Sequence, residues 1–186
     1  IEPATKRDYQ FIKREIEYYN AKEETASDIA YWIRDYANFD AISSDLNSAN
    51  CYSASDRNGP IALFSLIQGP HKLYENKGIA WHLDTDYYYI QHVVAIRGKG
   101  IASKIFEFAT RHAHHLRTHT HEGNFAMRHA LEAFGFKKCG AFKDEDGATC
   151  IAYDWIKDLA STDNTHPLIN RIHYSTVILP NPMPNL

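Results

Sequence analysis

The feature that most constrains the fold is a near-continuous aromatic and β-branched run over residues 87–96, which meets Arg97-Gly98-Lys99-Gly100 without a break. A run with so little polar alternation reads as a strand covered on both faces. Directly beyond the glycines, Ile101, Ile105, Phe108, Ala109 and His112 recur at helical spacing, with Lys104, Glu107 and Arg111 on the opposite, wet stripe. Glu107 and Arg111 also stand at i,i+4, a favourable ion-pair spacing. A doubly covered strand that feeds straight into an amphipathic helix calls for one sheet with helices packed on its faces.

The remaining elements fit that frame. Tyr9, Ile12, Ile16 and Tyr19 make one apolar helical stripe. A second stripe, Ile29, Trp32, Ile33 and Tyr36, follows the capping candidates Thr25, Ser27 and Asp28. Residues 50–55 and 61–67 are strand-like and flank the turn Asp56-Arg57-Asn58-Gly59-Pro60, which reads as a hairpin. Residues 71–85 are irregular. A short strand over 116–120 precedes a short helix over 124–134, closed by Gly135 as a C-terminal cap. Residues 136–142 and 148–155 flank Asp144-Glu145-Asp146-Gly147 as a second hairpin. The expected order is two helices, three strands, helix, strand, helix, two strands, an α/β class with a mixed sheet. Residues 1–158 are expected to form one domain. Residues 159–186, polar and then proline-rich, read as an extended arm lying on this domain or on a neighbour, a route to a homodimer.

Composition narrows the function. The 186 residues can enclose a real core, and 44% hydrophobic with 23% charged residues are globular values. A net charge of -3 with no polybasic block argues against nucleic acid as the partner. No apolar run is long enough to span a bilayer, and the first residues lack the apolar stretch of a secretory signal. Cys51, Cys139 and Cys150 are an odd, widely spaced set, which suits reduced thiols in a cytoplasm. They read as small buried hydrophobes rather than nucleophiles.

The turn is where chemistry enters. The first amides of a helix lack intrahelical partners, and the helix dipole adds partial positive charge there. Glycine lets the backbone approach an anion closely, and Arg97 and Lys99 add full charges. A P-loop would need Ser or Thr after Gly98-Lys99, and a dinucleotide fingerprint would need glycine at Ser103. Alone, the hexapeptide reads equally as an ordinary strand-to-helix turn holding two glycines.

Arg97-x-x-Gly100-x-Ala102 resembles the pyrophosphate-binding pattern Q/R-x-x-G-x-G/A of the GNAT acetyltransferase superfamily. Asn124 opening a helix that ends in Phe134-Gly135-Phe136 resembles the second half of that fold. The likeness covers residues 1–158 in element order, with its specific motifs within 90–140. It implies a central mixed sheet flanked by helices, and acetyl-CoA as co-substrate with no metal. The pyrophosphate would rest on Arg97, Gly98, Lys99, Gly100, Ile101, Ala102 and Ser103. The pantetheine arm would pair with the main chain near Val94 and Ile96, and Asn124 would contact it. Transfer would run by direct attack of a small-molecule or peptide amine on the thioester. That step needs a base for the amine and an acid for the thiolate.

Two departures matter. Val93-Val94-Ala95-Ile96 meets Arg97 directly, where relatives commonly have several loop residues. Leu131 stands where many relatives carry a tyrosine acid, which favours the alternative of a non-catalytic CoA-binding or regulatory module. His92 is the candidate base by its intrinsic pKa, although strand alternation puts Gln91 and His92 on opposite faces, and a strand histidine is often a packed one. Glu122 is a second candidate, acting through water, or else a solvated charge favoured by the helix dipole. His112, His114, His115, His119, His121 and His129 form a conspicuous set, but their spacing does not converge on one point and no cysteine is near in sequence. No metal is expected from them.

Overall fold

The computed structural model describes residues 1–23, 39–96 and 100–157. The stripe at Ile29–Tyr36, the charges of Arg97 and Lys99 with Gly98, and the C-terminal extension lie outside the described residues.

Seven strands form one sheet in the order β1-β2-β3-β4-β5-β7-β6. They are β1 (Glu2–Pro3), β2 (Cys51–Asp56), β3 (Gly59–Gln68), β4 (Tyr88–Ala95), β5 (His115–His121), β6 (Lys137–Lys143) and β7 (Thr149–Ile156). Among the described residues the α-helices are α1 (Lys6–Glu23), α2 (Phe39–Asn47), α3 (Ala102–His112) and α4 (Phe125–Phe134). Every neighbouring pair of strands is antiparallel except β4 and β5. Two elements escaped the sequence reading. The edge strand β1 is too short to show a period, and α2 has 9 residues, so its apolar positions Phe39, Ile42 and Leu46 span barely two turns. Among the described residues no helix is long and apolar enough to cross a membrane.

The central strand is covered on both sides, as its composition requires. On one face α3 and α4 pack over Phe64, Leu66, Ile90, Leu116, Ile151 and Tyr153, with Ile105, Phe106, Ala109 and Leu131 from the helices. On the other face the cover is divided. Near β2 and β3, Ile12 of α1 and Ile42 of α2 close over Cys51, Leu63 and Val94. Towards β6 and β7, residues 69–87 supply Tyr74, Trp81 and Tyr87 over Tyr89, Phe142, Cys150 and Ala152. Tyr9 is half-buried beside Ile12; the side chains of Ile16 and Tyr19 are outside the description.

Gly135 shows why the sequence signal at the end of α4 was reliable. It sits at φ 109°, its N–H returns to Leu131 and Glu132 carbonyls, and Phe136 then drops back into the core. An L-residue is strained there. Gly135→Ala should lower the unfolding free energy by about 1–2 kcal/mol in urea titrations.

Candidate functional site

The two parallel strands do not stay together. β4 and β5 pair only at Tyr88–Leu116, Tyr89–Arg117 and Ile90–Thr118, where the Thr118 hydroxyl also donates to the Ile90 carbonyl at 2.9 Å. Beyond that point no further pairing joins them among the described residues, so 91–95 and 119–121 diverge. A gap between the carboxyl ends of parallel strands, with a helix starting beside each, is where open α/β sheets hold ligands.

A bulge in β4 sets the chemistry of that gap. Between the pairs Leu63–Val94 and Ser65–Gln91, β4 carries one more residue than β3. His92 absorbs the excess at φ 51°, a left-handed conformation uncommon for a non-glycine residue. The simple alternation expected from the sequence fails here for this reason, since the bulge rotates His92 away from the pleat.

The ring turns onto α2. His92 Nδ1 donates to Asp45 Oδ2 at 2.6 Å, and the buried Ser65 hydroxyl donates to the same oxygen at 2.5 Å. Burial pushes the Asp45 pKa up, but the hydrogen bonds from His92 and Ser65 outweigh it and hold the carboxyl below its ordinary value. Gln91 lies close enough to influence both Asp45 and His71. With Nδ1 engaged, Nε2 is the nitrogen His92 can offer a substrate, and its side chain keeps 25% of its exposure. Asp45 was missed in the sequence because α2 was missed. A carboxylate on a short helix, distant in sequence, gives no local sign.

This polar seam continues into an aromatic wall. His71 stacks on Tyr89 with centroids 4.3 Å apart, and the Tyr74 hydroxyl meets His119 Nδ1 at 3.0 Å. Burial, helped by the positive character of His71, pushes His119 down to about 4. His119 is therefore neutral near pH 7.

Val94 is buried and pairs with Leu63, while the Ile96 N–H is spent on the Ile61 carbonyl at 2.8 Å. Alternation along the ladder then turns the amide of Ala95 to the opposite edge, towards the gap. Gly100 is exposed at φ 60°, and a Cβ built on it would meet nothing within 4 Å. Ile101 precedes α3 without a side-chain cap among the described residues, so the first amides, including those of Ala102 and Ser103, keep their capacity to donate. Asn124 is 8% exposed and works as the cap of α4: Oδ1 accepts from Met127 N–H at 3.1 Å, and Nδ2 donates to Thr120 Oγ1 at 3.0 Å. One Nδ2 hydrogen remains for a ligand. Leu131, at the position of the usual tyrosine, is 1% exposed in the core.

Glu122 does not join His92 and Asp45. Its side chain is exposed, and its main chain ties the end of β5 to Thr149 and Arg128. The conspicuous histidines also disperse. His112 bonds the Phe108 carbonyl, His121 accepts from Gly123, and His114 and His129 are exposed. All three thiols are buried and pushed up to about 12, chiefly by desolvation, so none is a nucleophile.

No protein-family model matches the sequence, and no curated protein matches it either. Solved structures do. A GNAT-family acetyltransferase from Streptococcus agalactiae 2603 is 25% identical with a TM-score of 0.68, over 83% of this chain and 92% of the other. One from Listeria monocytogenes 4b F2365 is 15% identical with a TM-score of 0.59, over 83% and 92%. A ribosomal-protein-alanine N-acetyltransferase from Brucella melitensis is 18% identical with a TM-score of 0.50, over 83% and 98%. The architecture is the GNAT fold, with a mixed seven-stranded sheet between helices. The neighbours group the chain with the GNAT superfamily of N-acetyltransferases and support acetyl transfer as its general class of activity.

The half-buried His119 contributes a pH signature. Unfolded, His119 titrates near 6.5, and folded only near 4. Between those values the unfolded state binds more protons, so stability falls as pH drops through this window. His119→Gln should remove its share of the loss from pH 6.5 to 4 in urea midpoints, an effect on the order of a few kcal/mol, the remainder coming from His115, which burial also pushes down to about 4.

Proposed function

We propose that this chain transfers an acetyl group from acetyl-CoA to an amine of a small molecule or peptide, with His92 as general base and Asp45 as its positioning residue. The observation that carries the reading is the β4 bulge, which brings His92 onto Asp45 beside the gap between β4 and β5.

The residues divide the work. The uncapped amides at the start of α3, with the open φ 60° glycine before them, suit a pyrophosphate. Arg97, Gly98 and Lys99 would complete that cradle. The Ala95 amide edge suits the pantetheine arm, and Asn124 would contribute its remaining N–H. Acetyl-CoA supplies the activated acyl group. His92 Nε2 takes the proton as the amine nitrogen bonds to the acetyl carbon, and Asp45 steadies the imidazolium through Nδ1. The carbon–sulfur bond then breaks, and the thiolate takes its proton from water, since Leu131 has none to give. Glu122 could serve only through a chain of water from the exposed turn.

The buried Leu131 favours a second reading, a CoA-binding or regulatory module without turnover. Calorimetry with CoA and a turnover screen over amines separate the two. Binding with thioester consumption supports the enzyme, binding without it across the panel supports the module, and no binding overturns both. Gly100→Glu should abolish CoA binding, because bulk and negative charge enter the pyrophosphate site. His92→Gln should lower kcat by about 10²–10⁴ with little change in the KM for acetyl-CoA. Asp45→Asn should lower kcat less and shift the acid limb of the pH–rate profile.

A further inference from the structure

A second group of side chains converges on the same face of the sheet, at its β6–β7 end. Asp154 of β7 is 1% exposed. Its Oδ1 accepts from His82 Nδ1 at 2.8 Å and its Oδ2 from the His82 main-chain N–H at 2.8 Å. Cys139 is the extra residue of a β6 bulge between the pairs Lys138–Tyr153 and Gly140–Ala152, and its sulfur lies 3.5 Å from His82 Nδ1. The ligand atoms of His82, Cys139 and Asp154 all fall within 4.8 Å of one another. From β5, the 3% exposed His115 points Nε2 at Asp154 Oδ2 across 3.9 Å, and that nitrogen has no hydrogen-bond partner among the described residues. The Thr85 hydroxyl meets His115 Nδ1 at 3.1 Å, so Nε2 is the ring nitrogen left to face Asp154.

A thiol nucleophile relay does not fit. Asp154 and Cys139 both address Nδ1 of His82, whereas a relay needs one partner on each ring nitrogen. A cation does fit. An ion with bonds of about 2.0–2.3 Å to nitrogen, oxygen and sulfur holds tetrahedral ligands about 3.3–3.8 Å apart; Cys139 Sγ and His82 Nδ1 are already 3.5 Å apart, and His82 Nδ1 and Asp154 Oδ1, at 2.8 Å, would separate by about half an ångström as the ion replaces the proton they share. The charge balance is also favourable. Arg117 lies opposite Asp154 in the β5–β7 ladder, held over the Trp81 and Tyr87 rings at 4.3 and 4.0 Å. A divalent ion with one thiolate and one carboxylate is neutral overall, so the loaded site carries no net positive charge beside that guanidinium.

We propose that His82, Cys139 and Asp154 bind one divalent transition-metal ion of the zinc type, with His115 Nε2 accepting from the water that completes the tetrahedron. On binding, the metal–sulfur bond forms and the Cys139 proton passes to solvent. The His82 proton moves from Nδ1 to Nε2, on a ring whose side chain is 41% exposed. The site fastens the segment carrying His82 to β6 and β7, and is independent of the acetyl-transfer reading.

Chelator-stripped protein titrated with Co²⁺ tests it. The expected result is one equivalent per chain with a sulfur-to-cobalt charge-transfer band that Zn²⁺ abolishes. The band should vanish in Cys139→Ser and persist in Cys150→Ser. His115→Gln should weaken Co²⁺ binding by about 10-fold, and His82→Gln by more. Absence of the band in the unsubstituted protein overturns the proposal. So does a band that survives Cys139→Ser in protein whose circular dichroism is unchanged.

Discussion

The structure depends on one mismatch between strands. β4 is held to β3 along its length, so when it carries an extra residue at His92 the excess must go somewhere, and it goes into twist and bend. Parallel pairing with β5 then ends at Ile90 and Thr118. The opening between the strands and the aim of the His92 ring are thus two results of a single irregularity. A regular ladder would close the gap and return His92 to the pleat.

The same seam explains how a polar group survives beside the core. Leu63, Ser65 and Ile67 share one face of β3, but only the outer two meet apolar cover, from α1 and α2 on one side and from residues 69–87 on the other. Ser65 falls at the join, and Asp45 reaches down to it. The carboxylate is satisfied by two donors at once, which is what allows it to remain charged while half-buried. The position of α2 is therefore read out directly at the ring of His92.

Much of the fold was legible because its signals were local. The apolar run of β4, the stripe of α3, the Asn124 and Gly135 ends of α4 and both hairpins announced themselves through period and turn chemistry. What escaped was set at a distance. Alternation could not place the His92 ring because a bulge depends on the partner strand, and Asp45 lies on a helix whose apolar stripe, Phe39, Ile42 and Leu46, is too short to stand out. Of the histidine-rich stretch only His115 reaches the group of side chains that converges at the β6–β7 end. The residues that do converge are His82, Cys139 and Asp154, separated in sequence and joined by a second bulge. The donor side was legible only as a pattern of residues resembling a family, with Arg97, Gly98 and Lys99 outside the described structure.

The outer strand β6 carries a consequence of its own. Its exposed Lys137, Lys138 and Lys143 border an edge that the bulge at Cys139 interrupts, and Gly140 adds a φ of 136°. Another chain adding there would have to match a broken register and crowd three ammonium groups. The sheet thus ends in a poor template. Growth by strand addition is discouraged on this side, by the irregularity that also turns a thiol inward.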